Sequence, residues 1–513
     1  MLASNAVLAA PSPPLNTAGL CGNSDYYEQI RSLWFQLKPE YQKWVTDSAD
    51  SPYNLYYIQG ETNNLLKYTG HCQDLYILDE LATLYLGAID TLDKTDDYIF
   101  YYYPDWSWMR CSSHKLPKKH QMWLDDTGLE SILVSSQFLY LISDALNIII
   151  KIEPEQQTPE MQNMIDSYPE ILLAHYDRWI FNNLGPFQVR GWGCKVNGKY
   201  VKSGMNHLEF IEKKMNRHLG DLNSPSYCNS VTDTDMWIIA GATNLTAMYQ
   251  SNIKFTPITP EKYRRFAKYI RTGVELLKSR VTYRLLQDWD GKPVQGANFD
   301  LGAWDDHPAY EYAGCKATIY PKHYIDKKIK FKIKGVGWDL SHARRFVHVF
   351  DTLYENNKIT GLGFPDKIFM NRLSNQFLYG AFNGDFSKPL FTNFIDGTNG
   401  WYRVGYEKRI GFGYGLWDMS ISALTGGFSL WSRYNNNYGK LYCALVEMLN
   451  SNKPEVQKHV EEHYEKNHWN NYKRSHSIDF QKQSTHVATQ HIVIQLLPSL
   501  CFSKQANKCE HFH

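Results

Sequence analysis

Apolar residues recur at intervals of three and four along most of this chain, the spacing of one helix face. The pattern predicts helices over residues 26–45, 72–92, 123–150, 161–181, 231–249, 260–287, 339–354, 366–380, 417–431, 441–450, 456–468 and 484–497. Polar or Pro-rich breaks fall at 60–64 and 154–159, and longer loops at 182–206, 288–337 and 383–415. Strand patterning is short: residues 99–104, and an alternating Ile-Lys segment within 322–334 that reads as a hairpin strand on a solvated edge. The class is therefore mainly α. No internal linker stands out, so residues 26–500 read as a single domain, between a leading segment (1–25) and a C-terminal tail (501–513).

The stretch Gly335 to Tyr354 organises the rest. Leu340, Ala343, Phe346, Val347, Phe350 and Leu353 form one apolar stripe, and Asp339 sits where an N-cap belongs. Asp339 and His342 are three apart and project from the same end of one helix face. A carboxylate beside an imidazole at a helix mouth suits proton transfer; an ordinary cap with a first-turn histidine is the structural alternative. Similar mouths recur, with helix starts near Cys72, Asp126, Asp235, Asp339 and Asp418, several preceded by Trp. Their loose spacing is that of stacked helix pairs.

Composition narrows the partners. The 513 residues carry Lys+Arg 54 against Asp+Glu 53, a net charge of +1, and no basic run dense enough for nucleic acid. No run is expected to reach the apolar length of a membrane span. Aromatics make up 15% of the chain, with 36 Tyr and 15 Trp. Rings with apolar faces and polar edges suit sugar-binding clefts. The nine cysteines form no CxxC pair, so a zinc ribbon is not expected, and Cys501 with Cys509 would close a small loop. Small apolar residues ending at Ala9-Ala10 before a Pro-rich stretch read as a signal remnant or linker, giving a secreted or periplasmic expectation.

The segments LDELATLYLGAID, WLDDTGLES and WDLSHARRFVHVFDTLYEN together resemble the six-hairpin (α/α)-toroid carbohydrate-active proteins, a group that includes glycoside hydrolases, polysaccharide lyases and sugar epimerases. The resemblance covers residues 72–434 in style. It implies a cleft at the ends of inner helices, lined by aromatic, acidic, His, Tyr and Arg side chains, with long aromatic-rich loops around it and a poly- or oligosaccharide as partner.

The candidate chemistry follows from residue type. Asp125 and Asp126 are paired acids at a predicted helix start, though the capping box Thr127-x-x-Glu130 accounts for them without chemistry. Asp233 and Asp235 form a similar pair with the same explanation. The densest cluster is Trp304, Asp305, Asp306, His307, Tyr310, Glu311 and Tyr312 in one turn-rich loop. Trp401 and Tyr402 offer a stacking platform, and Arg403 suits a carboxylate. Nothing in these spacings calls for a metal or nucleotide cofactor.

Catalytic candidates are therefore Asp339, His342, Asp306 and Asp126, with Trp304, His307, Glu311, Tyr312, Trp401, Tyr402 and Arg403 as substrate-binding candidates. Two carboxylates flanking a glycosidic oxygen would hydrolyse it. A His or Tyr base with an Arg on a uronate carboxylate would instead eliminate. Hydrolysis is the leading expectation and elimination the second. A non-catalytic helical protein that binds glycan or a protein partner is the rival from another class.

Overall fold

The computed structural model describes residues 21, 24–92, 100–102, 108–110, 122–124, 130–182, 195–196, 199–200, 206–217, 226–251, 258–318, 330–404, 413–465 and 485–503. The chain is mainly helical, as expected. Its helices are α1 (Ser24–Asp47), α2 (Tyr53–Cys72), α3 (Leu75–Gly87), α4 (Ile132–Ile149), α5 (Pro159–Phe181), α6 (His207–Met215), α7 (Asp233–Gln250), α8 (Pro260–Ser279), α9 (Leu340–Ala343), α10 (Arg345–Glu355), α11 (Lys367–Asn375), α12 (Ile421–Thr425), α13 (Tyr438–Leu449), α14 (Pro454–Val460) and α15 (Thr485–Leu500).

Burial sorts these helices into two kinds. α8 buries Phe266, Tyr269, Ile270, Val274 and Leu277 along one stripe and leaves its other side to solvent. α1 does the same with Tyr26, Ile30, Trp34, Leu37, Tyr41 and Val45. By contrast, α4 and α7 are buried almost all round. These helices pack in succession: α2 against α4, α4 against α7, and α7 against α10. The short 3-10 helix Phe428–Arg433 touches both α10 and α15, and α15 packs on α2. The amphipathic helices lie against this succession, α1 on α2, α5 on α4 and α7, and α8 on α7.

Three features depart from the sequence pattern. The break expected at 60–64 lies inside α2, because Asn63 and Asn64 are buried rather than looped out. The long helix expected over 260–287 stops at Ser279, and the β-branched start of Val281–Gln287 makes an antiparallel hairpin with Pro293–Phe299. The helix expected from Trp123 starts at Ile132. The Ile-Lys hairpin falls largely outside the described residues. Cys21 is bonded to Cys72, while Cys501 is a buried free thiol, so the expected Cys501–Cys509 loop does not form. α4 is by length and composition apolar enough to cross a membrane, which amends the expectation of no such run; 83% of it is buried inside the protein.

A buried network fixes the entrance of α7. Thr232 caps it and forms a reciprocal capping box with Asp235. Asp235 also accepts from His207 at 2.9 Å and pairs with the buried Lys214 of α6. Burial alone would raise the Asp235 pKa; Lys214 and His207 outweigh it and hold the carboxyl below the usual range. The neighbouring Asp233 is thereby set at a defined helix mouth.

Candidate active site

Asp339 caps α9, as its position predicts: its Oδ1 accepts from the His342 backbone N–H at 3.2 Å. The same carboxylate holds the His342 ring, with Nδ1 at 2.9 Å from both Oδ1 and Oδ2. Ser341 donates to Oδ1 at 2.5 Å. Tyr310 donates to Oδ2 at 3.2 Å and accepts from the Asp339 backbone N–H at 3.2 Å. Burial would push this carboxyl up; His342, Arg403 and Ser341 together hold it well below the usual carboxylate range. Asp339 is thus a buried, permanently ionised acceptor. In the neutral ring of His342 the proton belongs on Nδ1, facing the carboxylate, which leaves Nε2 as the basic nitrogen. The His342 side chain is 26% exposed and Asp339 2%, so the histidine is the member that substrate can reach.

The pair opens into a narrow cleft of about 480 Å³, counting the space at its mouth. Asp233, Trp304, His307, Tyr310, Trp338, Tyr402 and Arg403 complete its walls. The loop before α9 supplies the aromatic side. Trp304 lies parallel to Tyr310 at 6.3 Å and edge-on to Trp338 at 5.9 Å. His307 caps the single turn Pro308–Tyr310, its Nδ1 accepting from the Ala309 N–H at 3.1 Å. Burial, then Arg403 and His342, lower its pKa to about 4, so it stays neutral with its proton on Nε2.

Tyr402 and Arg403 come from the long loop after α11. Arg403 has φ +62, left-handed backbone that a side chain rarely adopts, and its N–H donates to the Ala309 carbonyl at 2.7 Å. Such strain is held where surrounding structure demands it. The guanidinium lies over the Tyr402 ring at 5.3 Å. Although burial opposes its charge, Tyr402, Asp339 and Tyr414 keep it cationic.

Six of the catalytic and substrate-binding candidates meet here, Asp339, His342, Trp304, His307, Tyr402 and Arg403, together with Asp233 of the second acid pair. Others stand elsewhere. Asp306 is exposed and accepts from the Ser226 N–H at 3.3 Å. Glu311 pairs with Lys330. Tyr312 and Trp401 pack with Cys315 and Val404 in a separate small core, where Trp401 donates to the Ala317 carbonyl at 2.8 Å. None of these four lines the cleft. Asp126 lies outside the described residues. Tyr310, a member of the dense loop cluster but not a substrate-binding candidate, and Trp338 also belong to the site; a two-residue alternation from Tyr312 and the Trp338-Asp339 dipeptide are the signals for them.

Comparison with protein-family models, with curated proteins and with solved structures yields no match. The site therefore speaks through its own geometry: one oriented imidazole, one half-buried cation, one neutral histidine and an aromatic wall.

Proposed function

We propose that this chain is an exported carbohydrate-active enzyme on an (α/α) toroid that cleaves a uronic-acid-containing poly- or oligosaccharide by β-elimination, with His342 as the base. The toroid reading is supported by the closed succession of inner helices and the amphipathic helices laid against it. Export is supported by the Cys21–Cys72 disulfide, a bond that persists in oxidising compartments.

One observation carries the choice of chemistry. Both Asp339 oxygens are taken by His342, Ser341 and Tyr310, so this acid orients a base and has no proton to give. In the proposed reaction the uronate carboxylate lies against Arg403, whose fork matches it. His342 Nε2 takes the proton from C5. The electron pair forms the C4–C5 double bond as the C4–O bond breaks, and Tyr402 returns a proton to the leaving oxygen. Burial keeps the Tyr402 hydroxyl protonated, as that role requires.

Hydrolysis is the second reading, favoured by Asp233. It lines the same cleft, and among the described residues its Oδ1 accepts from the adjacent Thr234 N–H alone. A panel of polysaccharides incubated with the purified chain tests both. Reducing ends that appear with ultraviolet-absorbing unsaturated uronate support elimination. Reducing ends without it would replace elimination by hydrolysis through Asp233. Silence in both, with glycan binding retained, would leave a binding protein.

A further inference from the structure

Beside the cleft, separated from it by Arg345 and Asp233, is a second and smaller chamber of about 260 Å³, counting the open space at its mouth. Gln59, Gly60 and Asn63 of α2, Trp237 of α7, Arg345 and His348 of α10, and Arg344 between α9 and α10 face it. Its chemistry is lopsided. Arg345 has partners: the Tyr56 hydroxyl, the Ser341 carbonyl at 2.6 Å, and Asp233 at 3.9 Å. Arg344 has none, since its guanidinium makes no hydrogen bond or ion pair among the described residues. The nearest acid on a facing element, Glu61, is engaged with His491 and Gln495.

Gln59 accepts from Gln137 at 2.7 Å, but other polar atoms of the lining have no partner among the described residues. Asn63 is 2% exposed, and neither its amide nitrogen nor its oxygen finds a partner. The Trp237 indole N–H, likewise 2% exposed, has none either. The His348 Nδ1 and Arg345 Nε are in the same position. Burial and the two nearby arginines hold His348 neutral. Space for Arg344 has been made deliberately by the backbone. A Cβ on Gly60 would lie 2.9 Å from its Nη2, and one on Gly426 would lie 2.9 Å from its Cβ. Buried polar atoms without partners are rare, and Arg344, half-buried, brings a cation with no acid to meet it among the described residues. Here several N–H donors and one uncompensated guanidinium converge on one small space.

We propose that this chamber binds a small anion, held by Arg344 with the Asn63 amide and the Trp237 indole N–H. The site is independent of the elimination reading, because it rests on charge and hydrogen bonding alone. A halide or a carboxylate carried on a sugar would satisfy the same donors.

The test is the chlorine NMR line width of sodium chloride titrated into the full chain, each point read against a protein-free solution of the same salt. The expected result is a saturable excess broadening that sodium bromide displaces. Arg344→Gln abolishes it with the far-ultraviolet circular dichroism unchanged, and Arg344→Lys retains part of it. Asn63→Leu, which fills the chamber without touching its charge, weakens binding and serves if the Arg344→Gln chain does not fold. Displacement by glucuronate as well as bromide would assign the anion to a sugar carboxylate; displacement by halides alone would assign it to an inorganic ion. Absence of saturable broadening with the native chain, or broadening unchanged in Arg344→Gln, would overturn the proposal.

Discussion

At the N-terminal ends of α7 and α9 the charged groups are few and aimed, whereas at the C-terminal ends of α2, α4, α7 and α10 they are many and spent on one another. The first set forms the cleft of about 480 Å³ around Asp339 and His342. The second lines a wide basin of about 2540 Å³, open to solvent. In the basin, Lys67 binds Asp144 at 2.8 Å and lies 4.0 Å from Asp351. Arg433 engages the same Asp351 and also Glu355 at 3.3 Å. Although burial works against it, Asp144, Tyr140 and Glu355 keep Lys67 charged. Lys67 and Arg433 each have an acid, and Asp351 is shared between them. In the cleft, Asp339 fixes only one ring nitrogen of His342 and leaves the other to the solvent side. Size and charge alone would favour the basin as the functional site; orientation favours the cleft.

The largest effect that breaks this comparison is Asp339→Asn. It removes the acceptor that sets the His342 tautomer, and is expected to lower turnover roughly a hundredfold to ten-thousandfold on the responding polysaccharide. Assayed side by side, Lys67→Met in the basin should leave turnover unchanged. Its cost falls on stability, about 3 kcal/mol in urea denaturation, because Asp144 is left buried without its partner.

A pH effect of similar size belongs to His307. Its pKa is about 4 in the fold against about 6.5 in an unfolded chain. Between those values the unfolded chain binds the extra proton, so stability falls as pH falls through that window, by roughly 3 kcal/mol at its acid end. His307→Gln should lose correspondingly less on acidification. Comparing the variant with the native chain cancels the opposite contribution of Asp300, whose pKa burial raises to about 6. An equal loss in both chains would show that His307 is not held neutral by the cleft. Smallest of all, Asp306→Asn should change neither turnover nor stability beyond about 0.5 kcal/mol, since this acid is exposed and outside the cleft.

The Asp339–His342 pair was legible because helical spacing alone brings residues three apart to one face. Helix type was legible wherever one face is apolar, as in α1 and α8. It failed for α2, whose buried residues include Gln59, Thr62, Asn63 and Asn64. Periodicity reads polar residues as solvent-facing, and an inner helix that turns amides towards a polar chamber defeats that assumption. The choice between neighbours in the loops was also beyond the sequence. Consecutive residues of extended chain point to opposite sides. Tyr402 therefore enters the cleft while Trp401 enters the core formed with Tyr312 and Cys315. The 3-10 turn Pro308–Tyr310 likewise delivers Tyr310, not Tyr312, to Asp339.

The account turns on His342 as the group that moves the proton. The direct measurement is the initial rate of unsaturated-uronate formation by His342→Gln, with the thermal midpoint taken on the same preparation. The account predicts that the rate falls at least about a hundredfold while the midpoint holds. A rate close to that of the native chain at an unchanged midpoint would contradict it, and would place the base on another residue.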